Sequence, residues 1–381
     1  MIYVLLTFLC SPLLLLLAFL RRGRSRNILV IQTAKIGDMV CTSPLFRTLK
    51  EAYPRAKVTL LCKPLTAKLM KHDPFIDAVE TLTSTKGLTG KIKLLALLRR
   101  GRYDICMNCV PGASFTLGVF WAAIPVRLGI IPDVAGPTYR ASALFTTHSE
   151  RYRAGEMVSL TYARALHAIG IDAPVLKRGL YPPPAAQGKV DAFLRSNALL
   201  PDDVLIGIAC SSANALKSLK LYELTRMIEE VLSADGRRKA VLIGAQSDRA
   251  LAEQAVPAGR DRRRTVNSCG AFTLEELPAL LGRLHCFIGT DSGPLYMADA
   301  VGTPVISLAG PNDPAYQGPA GERAIVLGSA ECSPCMTPFR VPYSCPKEHP
   351  RCARLSLPLD LNARIDSIGK PRRLEASGQA S

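Results

Sequence analysis

Residues 286–314 read CFIGTDSGPLYMADAVGTPVISLAGPNDP, and the succession of residue types there points to one kind of fold. Cys286–Thr290 is an apolar run of strand length. Asp291, Ser292, Gly293 and Pro294 come next. Glycine lets the backbone turn tightly and proline suits a first helical turn, so a helix is predicted over Gly293–Val301. Pro304–Leu308 is a second apolar run. Strand, helix and strand in so short a span form a crossover unit, and such units build parallel sheets.

The alternation extends in both directions. Val204–Ala209 and Ala240–Ile243 read as strands, with helices over Leu221–Leu232 and Leu274–Arg283. In the front half, Ile28–Gln32, Val58–Cys62, Ile105–Asn108 and Val126–Ile130 read as strands. A helix is expected from about Val40 to Tyr53, stopped by Pro54, and another with a basic face over Leu88–Arg100. Between the halves, Tyr181–Gln187 (YPPPAAQ) holds three consecutive prolines, which fit neither a helix interior nor a central strand. The expected fold class is α/β, with two doubly wound Rossmann-like domains at 27–180 and 201–355, a linker at 181–200, and a C-terminal segment at 356–381 ending in a polar tail. Such domains bind ligands beyond the carboxyl ends of their strands, so a ligand shared by both is expected in a cleft.

Bulk properties agree with a folded, two-domain chain. A length of 381 residues is long for one core. Hydrophobic content of 48% and charged content of 21% argue against wholesale disorder. The net charge of +17 favours phosphates, anionic head groups or nucleic acid. No aromatic-studded basic motif supports nucleic acid, so none is expected as a partner.

The N-terminus carries a separate signal. Ile2–Leu20 has no charged side chain, and Arg21, Arg22, Arg24 and Arg26 follow it. A helix of that length spans about 28 Å, close to the hydrocarbon core of a bilayer. Basic residues after the run, and no small-residue cleavage pattern before them, favour an uncleaved anchor over a signal peptide. The expectation is a single-pass transmembrane helix at 2–20 in the inner membrane, with the body on the cytoplasmic side.

Three constellations could carry chemistry. Gly37-Asp38 follows the first strand, where Asp38 could act chemically or merely cap a helix. Asp291 to Leu295 open a helix at the end of a strand, where free N–H groups and the helix dipole suit a phosphate. Asp291 or Ser292 acting only as a cap is the plainer alternative. Lys217, with Lys220 nearby, follows the strand Val204–Ala209 and could neutralise a diphosphate.

Taken together, these residues resemble one family. Ile28-Leu29-Val30 to Gly37-Asp38, then Pro44-Leu45 and the helix ending at Tyr53-Pro54, resemble the opening of the bacterial heptosyltransferases, glycosyltransferase family 9. Gly289 to Ala300, then Gly302-Thr303-Pro304 and Gly310-Pro311-Asn312-Asp313-Pro314, look like that family's donor-site signature. The resemblance implies a GT-B fold and an enzyme of lipopolysaccharide biosynthesis, and the leading apolar helix at 2–20 is a departure from the family's soluble members. Its reaction would be inverting, metal-independent transfer of a sugar, ADP-heptose being the family's default donor. No cofactor is implied beyond the nucleoside diphosphate sugar, and the acceptor is a lipid-linked saccharide. Asp38 matches the family's general base. Lys217 matches a basic residue facing the donor phosphates, Asp291 a residue near the transferred sugar, and Ser292, Gly293, Pro294 and Leu295 the turn that holds the diphosphate.

This chain departs from the family pattern at two donor-side positions. Leu219 and Lys220 stand where an aromatic residue and a proline are usual, and Tyr296 stands where histidine is usual. Two rival readings follow: a non-catalytic, membrane-tethered sugar-nucleotide binder, or a GT-B-like nucleotide-sugar epimerase. Of the 12 cysteines, Cys41, Cys62, Cys210, Cys269 and Cys286 read as buried small hydrophobes. Cys332, Cys335, Cys345 and Cys352 have spacing compatible with a structural zinc site, although thiols lining an acceptor-side loop are the favoured reading.

Overall fold

Each half of the chain forms a six-stranded parallel sheet, as near-continuous runs of Val, Ile and Leu require when both faces of a strand are covered. The computed structural model describes residues 2–21, 27–321, 323–327, 333–337, 339, 342, 344–345 and 360–368. The chain divides into two units: Met1–Tyr181 with Asp313–Gln317 and Met336–Pro342, and Pro182–Asn312 with Gly318–Cys335 and the described residues beyond 343.

In the first unit the elements run α1 (Ile2–Leu20), β1 (Asn27–Ile31), α2 (Ile36–Ala52), β2 (Lys57–Cys62), α3 (Pro64–Met70), β3 (Ala78–Thr81) and α4 (Gly87–Gly101). They continue with β4 (Ile105–Asn108), α5 (Ala113–Trp121), β5 (Val126–Ile131), α6 (Pro137–Ala143), β6 (His148–Arg151) and α7 (Val158–Leu166). The sheet order is β3-β2-β1-β4-β5-β6, all parallel. Ile28, Leu29, Val30 and Ile31 of the central β1 have no exposed surface. Burying each such side chain stabilises the fold by roughly 1.5–3 kcal/mol.

The second unit runs α8 (Ala185–Ser196), β7 (Val204–Ala209), α9 (Leu221–Ser233), β8 (Arg238–Ile243), α10 (Arg249–Ala255), β9 (Thr265–Asn267) and α11 (Leu277–Leu281). After these come β10 (Cys286–Thr290), α12 (Gly293–Ala300), β11 (Val305–Leu308), α13 (Pro314–Gln317), β12 (Ala324–Leu327) and α14 (Leu361–Ile368). Helix α13 belongs to the first unit by its packing. The sheet order, β12-β11-β10-β7-β8-β9, repeats that of the first unit, with all strands parallel. The order in which strands are added therefore reverses between β1 and β4 in one unit and between β7 and β10 in the other. In doubly wound sheets, loops at such switch points diverge and leave a crevice for ligands.

The twelve strands fall into two groups. The eight strands expected from their apolar runs lie where they were expected, whereas the four edge strands were not expected: β3, β6 and β9 mix polar and apolar residues, and β12 (AIVL) is a four-residue apolar run that is only partly buried. The helix expected over Leu274–Arg283 is confined to Leu277–Leu281, because Pro278 has no N–H and suits only the first turn. The expected linker at 181–200 is largely helical: the prolines precede α8, with Pro184 as its N-cap.

Helix α1 is long and apolar enough to cross a bilayer by length and composition. It packs one stripe against its own unit. Val4, Leu14 and Ala18 are buried, the first two in a cluster with Leu117, Phe120 and Phe145. Trp121 Nε1 donates to Thr7 Oγ1 at 2.8 Å. Arg21 donates to Ala122 O at 2.6 Å. Beneath this contact, buried Arg127 donates to Phe145 O at 2.7 Å, Ile124 O at 2.6 Å and Pro125 O at 3.1 Å. Burial lowers its guanidinium to about 10.

Candidate active site

The front-half site sits where β1 ends. Gln32 turns inward: its Nε2 donates to Thr42 Oγ1 at 2.8 Å and its Oε1 accepts the Ala34 N–H at 3.1 Å. This double grip shapes the turn that delivers Asp38 to the first turn of α2. Asp38 Oδ2 accepts the Lys35 N–H at 3.0 Å, a reciprocal cap of the kind an acidic residue at N3 makes. Its other oxygen, Oδ1, accepts Gln317 Nε2 at 2.7 Å. Capping is thus one use of this carboxylate, and Oδ1 is turned to a second partner. Tyr162 of α7 lies behind it, fully buried. Its hydroxyl is held well above the ordinary tyrosine value by burial first, then by the Cys109 and Asp38 charges.

Gln317 carried no signal in the sequence. It lies 279 residues from Asp38 on a one-turn helix, and only the folding of Asp313–Gln317 onto the first unit brings it in.

In the second unit the switch point lies between β7 and β10. The loop after β7 holds Lys217 in a short 3₁₀ turn, capped by Asn214, whose Oδ1 accepts the Leu216 N–H at 3.1 Å. The loop after β10 begins with Asp291. Lys217 Nζ, Tyr296 OH and Asn312 Nδ2 all donate to the Asp291 carboxylate. Lys217 and Asp291 are each only 13% exposed at the side chain, so the pair is sheltered from solvent screening. Leu219, at the first unusual position, packs into the core with Leu224 and Ile228. Lys220 is the exposed N-cap of α9, away from this pair in role.

Helix α12 starts at Gly293 with Ser292 as N-cap and Pro294 in the first turn. Its first internal bond runs from Tyr296 N to Ser292 O, so the Gly293 and Leu295 N–H groups have no partner inside the helix. Among the described residues, buried Ser292 Oγ and Asn312 Oδ1 make no hydrogen bond. Polar atoms buried without a partner cost about 1–3 kcal/mol each, and a ligand supplying partners would recover that cost. At the far end of α12, Asp299 accepts the Ala320 N–H at 3.0 Å and the Gly321 N–H at 2.8 Å. This fixes the loop that follows Asn312. A Cβ on Gly321 would lie 2.6 Å from Asp299 Oδ1, so no larger residue fits there unchanged.

All of Lys217, Asp291, Ser292, Gly293, Pro294 and Leu295 therefore lie at the switch point of one sheet, and Asp38 at the corresponding place in the other. The fold adds Tyr296 and Asn312, which the sequence marked only as a departure and as part of a turn.

Cys41, Cys62, Cys210, Cys269 and Cys286 are buried, as are Cys106 and Cys109. Burial pushes the Cys62 thiol up to about 11 and that of Cys286 to about 12, so these sulfurs are unreactive packing groups. Cys335 and Cys345 are half-buried. Cys332 and Cys352, the other two members of the candidate zinc set, lie outside the described residues. Among the described residues no group of three or more His, Cys, Asp or Glu side chains could hold a metal ion.

Comparison with known proteins agrees with this layout. Residues 92–340 match the family model "Glycosyltransferase family 9 (heptosyltransferase)". The chain is 28% identical to lipooligosaccharide heptosyltransferase 2 of Haemophilus influenzae, over 79% of this chain and 88% of that protein. It is 25% identical to lipopolysaccharide heptosyltransferase 3 of Escherichia coli, over 73% of this chain and 81% of that one. The structure of E. coli ADP-heptose lps heptosyltransferase II superposes with a TM-score of 0.66 at 20% identity, covering 79% of this chain and 90% of that chain. At that identity the superposition establishes the shared fold. The family match spans more than half of the sequence, and the chain belongs to glycosyltransferase family 9 (heptosyltransferase) and is a glycosyltransferase.

Proposed function

We propose that this enzyme transfers a sugar, heptose by the family's default, from a nucleoside diphosphate donor to a lipid-linked acceptor of the lipopolysaccharide core. The reaction is read as inverting and metal-independent, with ADP-heptose as the default donor and no cofactor beyond it. The two units would serve as the halves of a GT-B enzyme working at the inner membrane on its cytoplasmic side.

The observation that carries the reading is the convergence on Asp291 of Lys217, Tyr296 and Asn312 beside the start of α12. A helix N-terminus with open N–H groups, a buried hydroxyl lacking a partner and a lysine is a set of donors for a diphosphate. Negative charge grows on the leaving nucleoside diphosphate as its bond to the anomeric carbon breaks. The helix dipole and the Lys217 ammonium can stabilise that charge. With three protons, the ammonium can keep its bond to Asp291 while contacting a phosphate oxygen.

On the acceptor side, Asp38 is the proposed general base. It takes the proton of the acceptor hydroxyl as the oxygen attacks the anomeric carbon, and the diphosphate leaves with the bonding electron pair. Asp38 precedes the residues matched by the family model, so its role rests on the Gly37-Asp38 resemblance and on Oδ1 being held by a neutral side chain, Gln317, apart from the cap. Reaction in one displacement requires the acceptor hydroxyl and the donor's anomeric carbon to meet with water excluded.

The test is a screen of nucleoside diphosphate sugars by thermal shift, followed by transfer to a core oligosaccharide with and without a chelator. A bound donor stabilises by mass action. Donor binding with no transfer to any acceptor would support a non-catalytic binder, and donor conversion without an acceptor would support an epimerase. Transfer abolished by the chelator would remove metal independence.

A further inference from the structure

Helix α1 has the composition of a membrane span, yet it is docked lengthwise on a folded domain. From this we infer that α1 lies in the plane of an anionic lipid bilayer, with both of its ends on the same side as the body. In this arrangement α1 and the exposed face of α4 together form the lipid-contacting surface. The inference deepens the membrane placement proposed above and is independent of the transfer chemistry.

Both ends of α1 are held. Near its start, Tyr3 stacks on Trp121 with ring centroids 6.3 Å apart, and Trp121 also donates to Thr7. Just past its end, Arg21 donates to Ala122 O at 2.6 Å. Midway, Phe8 meets Phe145 at 4.7 Å between centroids. A helix of 19 residues is about 28 Å long, so it runs along the domain surface rather than away from it.

A docked helix cannot stand across a bilayer without drawing its neighbours in. Lys91 of α4 sits 4.6 Å from the Tyr3 ring, at the end that would reach the far side of the membrane. Spanning would carry that ammonium, and the basic helix behind it, through hydrocarbon, which is strongly unfavourable. Lying in the plane places Lys91 at one end and Arg21 at the other, both at head-group level.

The remaining faces of α1 suit lipid. Leu9 is 80% exposed, Leu20 70% and Leu13 62%, a continuous apolar surface that water would not tolerate cheaply. The two aliphatic hydroxyls of the helix are satisfied: Thr7 donates to Tyr3 O and Ser11 to Phe8 O. Interfacial helices usually keep one polar face towards water; here α5 and α6 cover that face instead. The adjacent α4 continues the surface. Leu88 and Ile92, one turn apart, are 74% and 56% exposed, with Lys93, Arg99 and Arg100 exposed around them. Apolar side chains set among cations complement a leaflet of anionic phospholipid.

Sidedness tests the inference in the full chain. An epitope tag at the N-terminus should be cut by protease in inside-out membrane vesicles and protected in intact spheroplasts, together with the body. Digestion of the tag in spheroplasts while the body stays intact would mean that α1 spans, and would overturn the proposal. A second readout uses an environment-sensitive fluorophore on Ile92→Cys or Leu9→Cys, with phosphatidylglycerol vesicles added. Both probes should shift to the blue. A shift at residue 9 with none at 92 would remove α4 from the surface, and self-crosslinking through residue 9 without lipid would assign the face to a second copy. Transfer to a water-soluble acceptor, assayed separately, should be unchanged in the labelled proteins, so failure of the chemistry and failure of the topology remain distinct.

Discussion

Gln317 donates to Asp38 Oδ1 at 2.7 Å while the Lys35 backbone N–H occupies Oδ2 at 3.0 Å. The two oxygens thus have separable duties. One holds the start of α2, and the other faces a neutral side chain that an acceptor hydroxyl can replace.

Asp38→Asn separates those duties. The amide oxygen still accepts from Lys35, and Gln317 can present its own carbonyl to the new amide, so stability should change by less than about 1 kcal/mol. An amide cannot take a proton, so turnover should fall by roughly 10²–10⁴. Single-turnover transfer and thermal unfolding read both numbers, and wild-type turnover in Asp38→Asn would leave only the cap.

Lys217→Met leaves the Asp291 carboxylate sheltered with neutral donors alone. Stability should drop by about 2 kcal/mol or more, and donor-induced stabilisation should be lost. Adding Asp291→Asn should recover part of the stability but none of the donor binding. A double-mutant cycle with no coupling between the two positions would contradict the pairing.

Tyr296→Phe removes one of three donors to Asp291 and keeps the ring in its buried place. A hydrogen bond to a charged group contributes about 1.5–3 kcal/mol, so kcat/KM for the donor should fall about tenfold or more. Unchanged kinetics would make the hydroxyl a packing detail.

Asp73 supplies a pH test remote from both sites. It is buried, and burial raises its carboxyl to about 6, against a lowering contribution from the Phe75 N–H. The unfolded chain ionises this group near 4, so between pH 4 and 6 the folded state binds more protons. Stability therefore falls as pH rises through that window, by about 3 kcal/mol in total, and stays lowered above it. Asp73→Asn keeps an acceptor for Phe75 and should flatten this dependence, with higher stability at pH 7 in denaturant titrations.

Arg127→Leu should be costly for a different reason. Three carbonyls, at Ile124, Pro125 and Phe145, lose their donor inside the domain that carries α1. A loss of at least about 3 kcal/mol is expected by thermal unfolding. A loss below 1 kcal/mol would show that these carbonyls find other partners.

Much of the fold was legible where local chemistry and burial agree. The strands β1, β2, β4, β7, β10 and β11 announce themselves because a central parallel strand is covered on both faces and must be apolar throughout. Edge strands such as β6 (HSER) are covered less and need no such run, so nothing local distinguishes them from loops. Pro278 shows the converse: one residue without an N–H set a helix start that periodicity alone placed three residues too early.

Taken alone, the residues determined the alternation of strand and helix, the turn at Asp291–Pro294, the apolar length of α1 and the family. Each of these depends on neighbours a few positions apart. Only the tertiary structure decided that Lys217 and Asn312 meet Asp291, because β7 and β10 lie side by side although β8 and β9 separate them along the chain. It alone decided that Gln317 faces Asp38 and that α1 rests on α5. Side chains distant in sequence meet through sheet order and helix packing, and those depend on the whole core at once.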